Sequence, residues 1–377
     1  MTVRRSAEPR YRLADEEGGD RLGFATVKDT IDMAIMEAGV ECLERTTQVA
    51  TSPRSEREVL AATRPFTIEN RWRSWWCLAT TSVIMTGILV IAAMAPWWPA
   101  RLACSILGAL VMVRVFIIYH DFMHGSLLRN SVLAKILLHA YGYLILAPPR
   151  SWRMSHNFHH SIVGKVLVLN SGSYPIMTRE MWKNSTFVER LRYIISRSPL
   201  IILFAYPMVF AWSLTIEPMI DHPRKLWDSI FAVIAHGALI AGLWWWGGPS
   251  MAIFAFIVPV AMAATIGAYF FYAQHNYPGM EILKTDEWTN YRASLRTSSF
   301  LKLGRIMRWF TGDIGYHHVH HLNLAIPFYR LSEAMAAIPE LQHPISTTLR
   351  PRDVLACLRL KLWDEGARNM IRFRDAH

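Results

Sequence analysis

At 377 residues the chain could hold two soluble domains, yet 52% of it is apolar and 15 residues are tryptophan, a balance that points to one membrane domain. The net charge of +11 would suit nucleic acid, but the basic residues fall in loops beside apolar spans, so membrane topology accounts for them and nucleic acid is not an expected partner. Cys42, Cys77, Cys104 and Cys357 lack pairing or CxxC spacing, which excludes a disulfide framework and a zinc ribbon.

Residues 1–24 are polar, of mixed charge and poor in anything to bury, and read as disordered, with no secretion signal. Apolar residues then recur at helical spacing from Thr26 to Glu44, an amphipathic helix, and Ser55 to Ala62 gives a second helix stopped by Pro65. Arg71-Trp72-Arg73-Ser74-Trp75-Trp76 marks a membrane interface, where a first span begins at Trp75 and runs to Trp98, closed by Pro96 and Pro99. A second span, Leu102 to Tyr119, delivers His120 and His124 at its exit. Arg114 lies inside this span and is expected to snorkel to the headgroups or pair with Asp121.

Val132 to Pro149 is apolar but carries Lys135 and His139. It should lie in the interface or dip in and return, because the histidines on either side of it must share one face. After a polar stretch, Gly164 to Ser198, come an apolar run, Pro199 to Ile216, and two strong spans, Trp227 to Trp246 and Pro249 to Tyr272, joined by Gly247 and Gly248. Four crossings, with the Pro199 run interfacial or re-entrant, put the histidines, the basic loops and both termini on the cytoplasmic face. The expected fold is thus all-α: four transmembrane helices, interfacial or re-entrant helices, and a cytoplasmic histidine-rich cap. The expected organisation is an N-terminal cytoplasmic extension over 1–60, a membrane domain over 61–345 and a cytoplasmic tail helix over 346–377.

The chemistry lies in three boxes: His120-Asp121-Phe122-Met123-His124, His156-Asn157-Phe158-His159-His160 and His317-His318-Val319-His320-His321. Their HxxxH and HxxHH spacings bring imidazoles to one face of a helix, so each box can aim at a common point. His275, ending the fourth span on the same face, is a ninth candidate. Nine imidazoles are too many for one zinc; two metals with about four or five ligands each would use them all. Iron is favoured, because zinc has no redox chemistry to turn oxygen on an unactivated C–H bond. His318 is off the spacing and should hydrogen-bond or face solvent. His139, His222, His343 and His377 have no partnered spacing, and His236 should make an interhelical hydrogen bond. Asp121 and Asp313 are candidates to orient ligating imidazoles.

These three boxes and their order, with Trp309-Phe310-Thr311-Gly312-Asp313-Ile314-Gly315-Tyr316, Ile326-Pro327-Phe328-Tyr329-Arg330 and Tyr272-Ala273-Gln274-His275, resemble the membrane fatty acid desaturases, and most of all the bacterial and chloroplast acyl-lipid desaturases of the delta-12/omega branch. The resemblance covers about Pro65 to Leu331. It implies a di-iron site on His120, His124, His156, His159, His160, His275, His317, His320 and His321, with Asp313 standing where asparagine is expected. It further implies oxygen-dependent formation of a cis double bond in a lipid-linked or thioester-linked acyl chain. Electrons would come from an external donor, ferredoxin or a b-type cytochrome, since the chain has no dinucleotide fingerprint or iron–sulfur pattern. The basic residues Arg153, Lys165, Arg292, Arg296, Lys302, Arg305 and Arg308 would attract an acidic carrier or anionic lipid. A lipid or carotenoid hydroxylase or ketolase is the alternative. A metal transporter fits less well, because the boxes sit at span ends and not at the bilayer midplane. The setting implied is an integral, multi-pass protein of a bacterial inner membrane.

Overall fold

The first long helices begin and end where the sequence supplies a cap or a breaker, in a computed structural model that describes residues 54–165 and 174–376. The amphipathic helix expected over Thr26–Glu44, the polar stretch 1–24, Cys42 and His377 lie outside the described residues. Helix α1, Glu56–Thr63, starts at a reciprocal capping box between Ser55 and Glu58. It straddles the boundary expected at residue 60, yet Val59 and Thr63 are fully buried, and contacts group the described residues from Ser55 onward in one unit.

Helix α2, Arg71–Met94, is capped by Asn70 Oδ1, which accepts from the Arg73 N–H at 3.0 Å, and stops before Pro96. Helix α3, Trp98–His124, carries proline in its first turn and ends at Gly125, whose φ of 74° is the left-handed cap that glycine adopts without strain. The first box therefore belongs to the spanning helix itself. Helices α4, Val132–Leu144, and α5, Pro149–Ile162, meet at 87°. The run after Pro199 is a short helix, α6, Pro199–Leu203, continued by a π-wound segment, Tyr206–Ile216.

Helical geometry continues through Asp228–Gln274, 47 residues, which as one rod would be ~70 Å long, over twice a bilayer's hydrocarbon thickness. It is not one rod. Gly248 has φ 73° and ψ −178°, Pro249 follows, and the rings of His236 and Phe256, twenty positions apart, sit 5.0 Å centroid to centroid. The chain folds back on itself, giving limbs α7, residues 228–247, and α8, residues 249–274. With α2 and α3 this makes four helices of spanning length among the described residues, as the apolar runs predict. The two hairpin tips adjoin: Arg101 donates to Ala95 O and, at 2.6 Å, to Ser250 Oγ. Trp97, Trp98, Trp245 and Trp246 are exposed at that end, as interfacial tryptophans are. Helix α3 is the central one, packed on both α2 and α8.

Arg114 neither snorkels nor pairs with Asp121. It is buried in the bundle, donating to Thr81 Oγ1 at 3.2 Å and to Trp309 O, with its guanidinium 4.6 Å from the Trp309 ring centre and 5.4 Å from that of Phe328. Desolvation is offset by two aromatic faces and two acceptors, and the arginine ties α2 and α3 to the segments flanking the third box. His236 makes the interhelical contact expected, between Tyr206 Oη at 2.5 Å and Leu144 O at 2.6 Å.

The tail is not simply a helix. Pro351–Arg359 is helical, but Leu362–Asp364 and Asn369–Ile371 form a hairpin, and Leu362–Asp364 also pairs in parallel with Met177–Thr178. The tail is held by exchanged caps. Lys361 Nζ donates to Arg197 O at 2.5 Å, past the end of Phe187–Ser196, while Arg197 Nη2 donates to Leu360 O at 3.1 Å, past the end of Pro351–Arg359. Each buried cation thus sits at a helix C-terminus, the end that favours it. Asn276 Nδ2 joins this clasp through Cys357 O at 2.6 Å, which anchors the tail beside His275.

Candidate metal centre

Two groups of imidazoles converge under the bundle: His120, His124, His156, His160 and His320 in one, His159, His275, His317 and His321 in the other, with the ligand atoms of each within 4.8 Å of one another. The nine candidates are all brought together, but the boxes are not each aimed at one point. Residues four apart on a helix differ by about 40° in direction, while the residue three on from the first lies about 60° to the other side. Accordingly the pairs His120/His124, His156/His160 and His317/His321 each enter one group whole, and His159 and His320 cross to the other. The second and third boxes therefore stitch the two groups together, and the rings of His160 and His321 approach to 4.2 Å across the seam.

Within the first group the Nε2 atoms of His156 lie 3.0 Å from those of His120 and His160, and His160 is 3.3 Å from His320. In the second, His317 Nε2 lies 2.9 Å from His275 and 3.1 Å from His321, and His159 is 3.4 Å from His321. Metal–nitrogen bonds of ~2.0–2.1 Å place neighbouring ligand atoms about 3.0 Å apart at 90° and about 3.4 Å apart at the tetrahedral angle. The imidazole spacings match the edges of such polyhedra. His124 Nε2 is buried with no protein partner, as a nitrogen reserved for a metal would be. Burial pushes the His275 imidazole down to about 4. Burial, and then neighbouring imidazoles, hold His317, His320 and His321 well below the usual histidine range. These rings are neutral near pH 7, the form that ligates.

Two rings have their orientation fixed from behind. His275 Nδ1 donates to Thr297 O at 2.9 Å, which leaves Nε2 unprotonated toward the group. His120 Nδ1 sits 2.9 Å from Asp121 Oδ1, and the other carboxylate oxygen accepts from the Phe328 N–H at 2.6 Å. Asp313 plays no such part. Its carboxylate pairs with Arg308 Nε at 2.5 Å, and its backbone takes φ 54°, a left-handed conformation that Asn and Asp tolerate best, which is the physical reason for asparagine at this place. His318 is buried and bonds Leu341 O at 3.1 Å, outside both groups. Among the described residues neither group includes His139, His222, His236 or His343.

Sequence reasoning missed Trp152. Its ring stacks on His156 at 4.4 Å and 24° and closes edge-on against His120 and His124. Position i−4 from His156 was the available signal. Gln274 Nε2 donates to Ile314 O at 2.8 Å and Asn290 Nδ2 to Leu322 O at 3.1 Å, holding the third box from both ends. The third box also needs Gly315. A Cβ there would lie 2.5 Å from Leu301 O, the strand residue whose N–H donates to Gly315 O at 2.9 Å. Gly315→Ala is expected to destabilise by on the order of 1–3 kcal/mol, since backbone cannot yield as a side chain does; thermal unfolding of the variant against the parent checks this. Part of the basic surface is neutralised: Arg292, Arg296 and Arg308 pair with Glu56, Glu281 and Asp313, and Lys165 lies 3.8 Å over the Trp288 ring.

Comparison with known proteins bears on what such a centre does. The family described as "Fatty acid desaturase" matches residues 96–351. A fatty acid desaturase of Bacillus subtilis is 28% identical over 284 residues, 72% of this chain and 77% of that one. An sn-1 oleoyl-lipid 12-desaturase of Synechocystis is 25% identical over 272 residues, 70% of this chain and 74% of the relative. A chloroplastic sn-2 acyl-lipid omega-3 desaturase (ferredoxin) of Helianthus annuus is 27% identical, and the alignment spans 62% of its length.

Proposed function

Because the chain belongs to the fatty acid desaturase family, we propose that it is an oxygen-dependent di-iron enzyme placing a cis double bond in a lipid-linked acyl chain. It is a fatty acyl desaturase and an oxidoreductase; hydroxylase, ketolase and transporter readings are not favoured by relatives that are all desaturases by name. The observation carrying the di-iron reading is the division of nine imidazoles into adjoining sets of five and four at ligand spacing. Iron held there would supply the reductive use of oxygen on an unactivated C–H bond. The chain's own residues hold the ligands unprotonated, fix His120 and His275 through Asp121 and Thr297 O, and keep His159, His317, His320 and His321 buried from water.

The same reading gives four crossings, with the histidine face and the tail cytoplasmic and the tips around Arg101 and Ser250 on the far side. It is supported by basic loops on one face and exposed tryptophans at the other. Electrons come from a separate carrier; the sunflower relative's name points to ferredoxin, and Lys302 and Arg305 are basic residues left to attract it. The experiment is gas chromatography with mass spectrometry of total lipids from cells expressing the chain with and without oxygen. A new oxygen-dependent cis double bond is the expected result. An added hydroxyl or keto group, or no change with a working donor, overturns it.

A further inference from the structure

Helices α4 and α5 enclose a second feature that the histidine centre does not use, a groove of about 810 Å³ lined by Lys135, His139, Arg150, Arg153, Asn157 and Lys225 among others. Helical spacing builds it. Lys135 and His139 are four apart on α4, and Arg150, Arg153 and Asn157 fall at i, i+3 and i+7 on α5, so the 87° bend aims both polar faces into one space. Among the described residues none of Lys135, Arg150, Arg153 and Lys225 enters an ion pair within 4.0 Å. The carboxylate nearby, Asp228, is buried and turned onto the Arg150 N–H at 3.0 Å. Four cations around one groove repel each other unless an anion joins them.

The groove's outer edge shows what kind of anion. The other side of α4 exposes Leu133, Ile136 and Leu137, an apolar stripe that only lipid can cover in a bilayer. Arg150 lies 4.8 Å over the ring of Trp227, an aromatic at headgroup level. The inner wall includes Asn157, which follows His156, and Phe122, midway between His120 and His124, and Arg153 Nη2 reaches Met123 Sδ at 3.8 Å. An occupant must therefore carry negative charge at its polar end and acyl chains beside it. We propose that the groove is a binding site for the phosphodiester headgroup of a membrane glycerophospholipid, which seats that lipid at the edge of the histidine centre. Its role in presenting an acyl chain rests on the desaturase reading; the binding does not.

The test uses the full-length protein in detergent and native mass spectrometry, with dioctanoyl-phosphatidylglycerol as probe and dioctanoylglycerol as its phosphate-free counterpart. The parent is expected to prefer the phosphatidylglycerol. Lys135→Gln/Lys225→Gln, both at exposed positions, should weaken that binding about 30-fold, at ~1 kcal/mol per interfacial charge. Lys135→Arg/Lys225→Arg should restore it, and unchanged metal content shows that the Gln variant is folded. Equal affinity in parent and Gln variant, or equal affinity for the two probes, overturns the site. So does a Gln variant that keeps its lipid but loses reduction by an acidic ferredoxin, which would make the groove a protein dock. Charge-dependent phospholipid binding by a chain that desaturates no lipid would uphold the site and remove only the enzyme reading.

Discussion

His320→Ala is expected to remove turnover while leaving the chain in the membrane, and to lower bound iron from two toward one per chain. His320 is the third-box residue that crosses into the five-membered group, its Nε2 standing 3.3 Å from His160, and it is buried. Alanine would take a ligand from one metal and cut the link by which the third box enters that group. Groups that merely orient ligands cost 10–100-fold on removal, so a ligand's loss should exceed roughly 100-fold in activity. The control is two residues away. His318→Ala deletes a bond to Leu341 O from a buried ring outside both groups; it should cost stability, on the order of 1–3 kcal/mol, and keep both irons and activity. Steady-state turnover and metal analysis on the two variants check the pair, and retained activity in His320→Ala would break the shared-site account.

Asp121→Asn should leave the fold nearly intact and still cripple the centre. The carboxylate serves two clients, His120 Nδ1 and the Phe328 N–H. An asparagine oxygen can keep the second, so the segment after the third box stays docked. Its amide then presents a donor to His120 Nδ1, which becomes an acceptor and leaves the ring proton on Nε2, the atom facing His156 at 3.0 Å. A protonated Nε2 cannot ligate. Iron affinity in the first group is expected to fall 10–100-fold, with a change in melting temperature much smaller than that caused by Gly315→Ala. Unchanged affinity would mean that Asp121 only caps the Phe328 amide.

Much of this architecture is legible in the chain, for identifiable reasons. A membrane makes apolar length decisive, so the four helices of spanning length can be found from composition, and Pro96, Gly125 and Gly248 mark the ends of three of them. Histidine spacing exposes the ligand candidates because a helix enforces which positions share a face. That same rule already contained the division of the second and third boxes, since the middle histidine of HxxHH lies to the other side of the outer two. What spacing cannot carry is partnership between distant segments. Arg114 looks like a snorkelling residue until Trp309 and Phe328, nearly two hundred positions away, supply faces for it. Trp152 draws no notice in the sequence until the ring of His156 lies on it. The tail reads as a helix because Pro351–Arg359 is amphipathic, while the hairpin after it depends on an edge offered by Met177–Thr178. Asp313 is close to the third box in sequence and turned to Arg308 in space.

The central claim, that nine histidines from three boxes and a span end form one two-metal centre, is tested most directly by counting iron in the unaltered protein purified from iron-replete cells. The account predicts two irons per chain. A ratio of one or below, or zinc filling both groups of a catalytically competent protein, would contradict it.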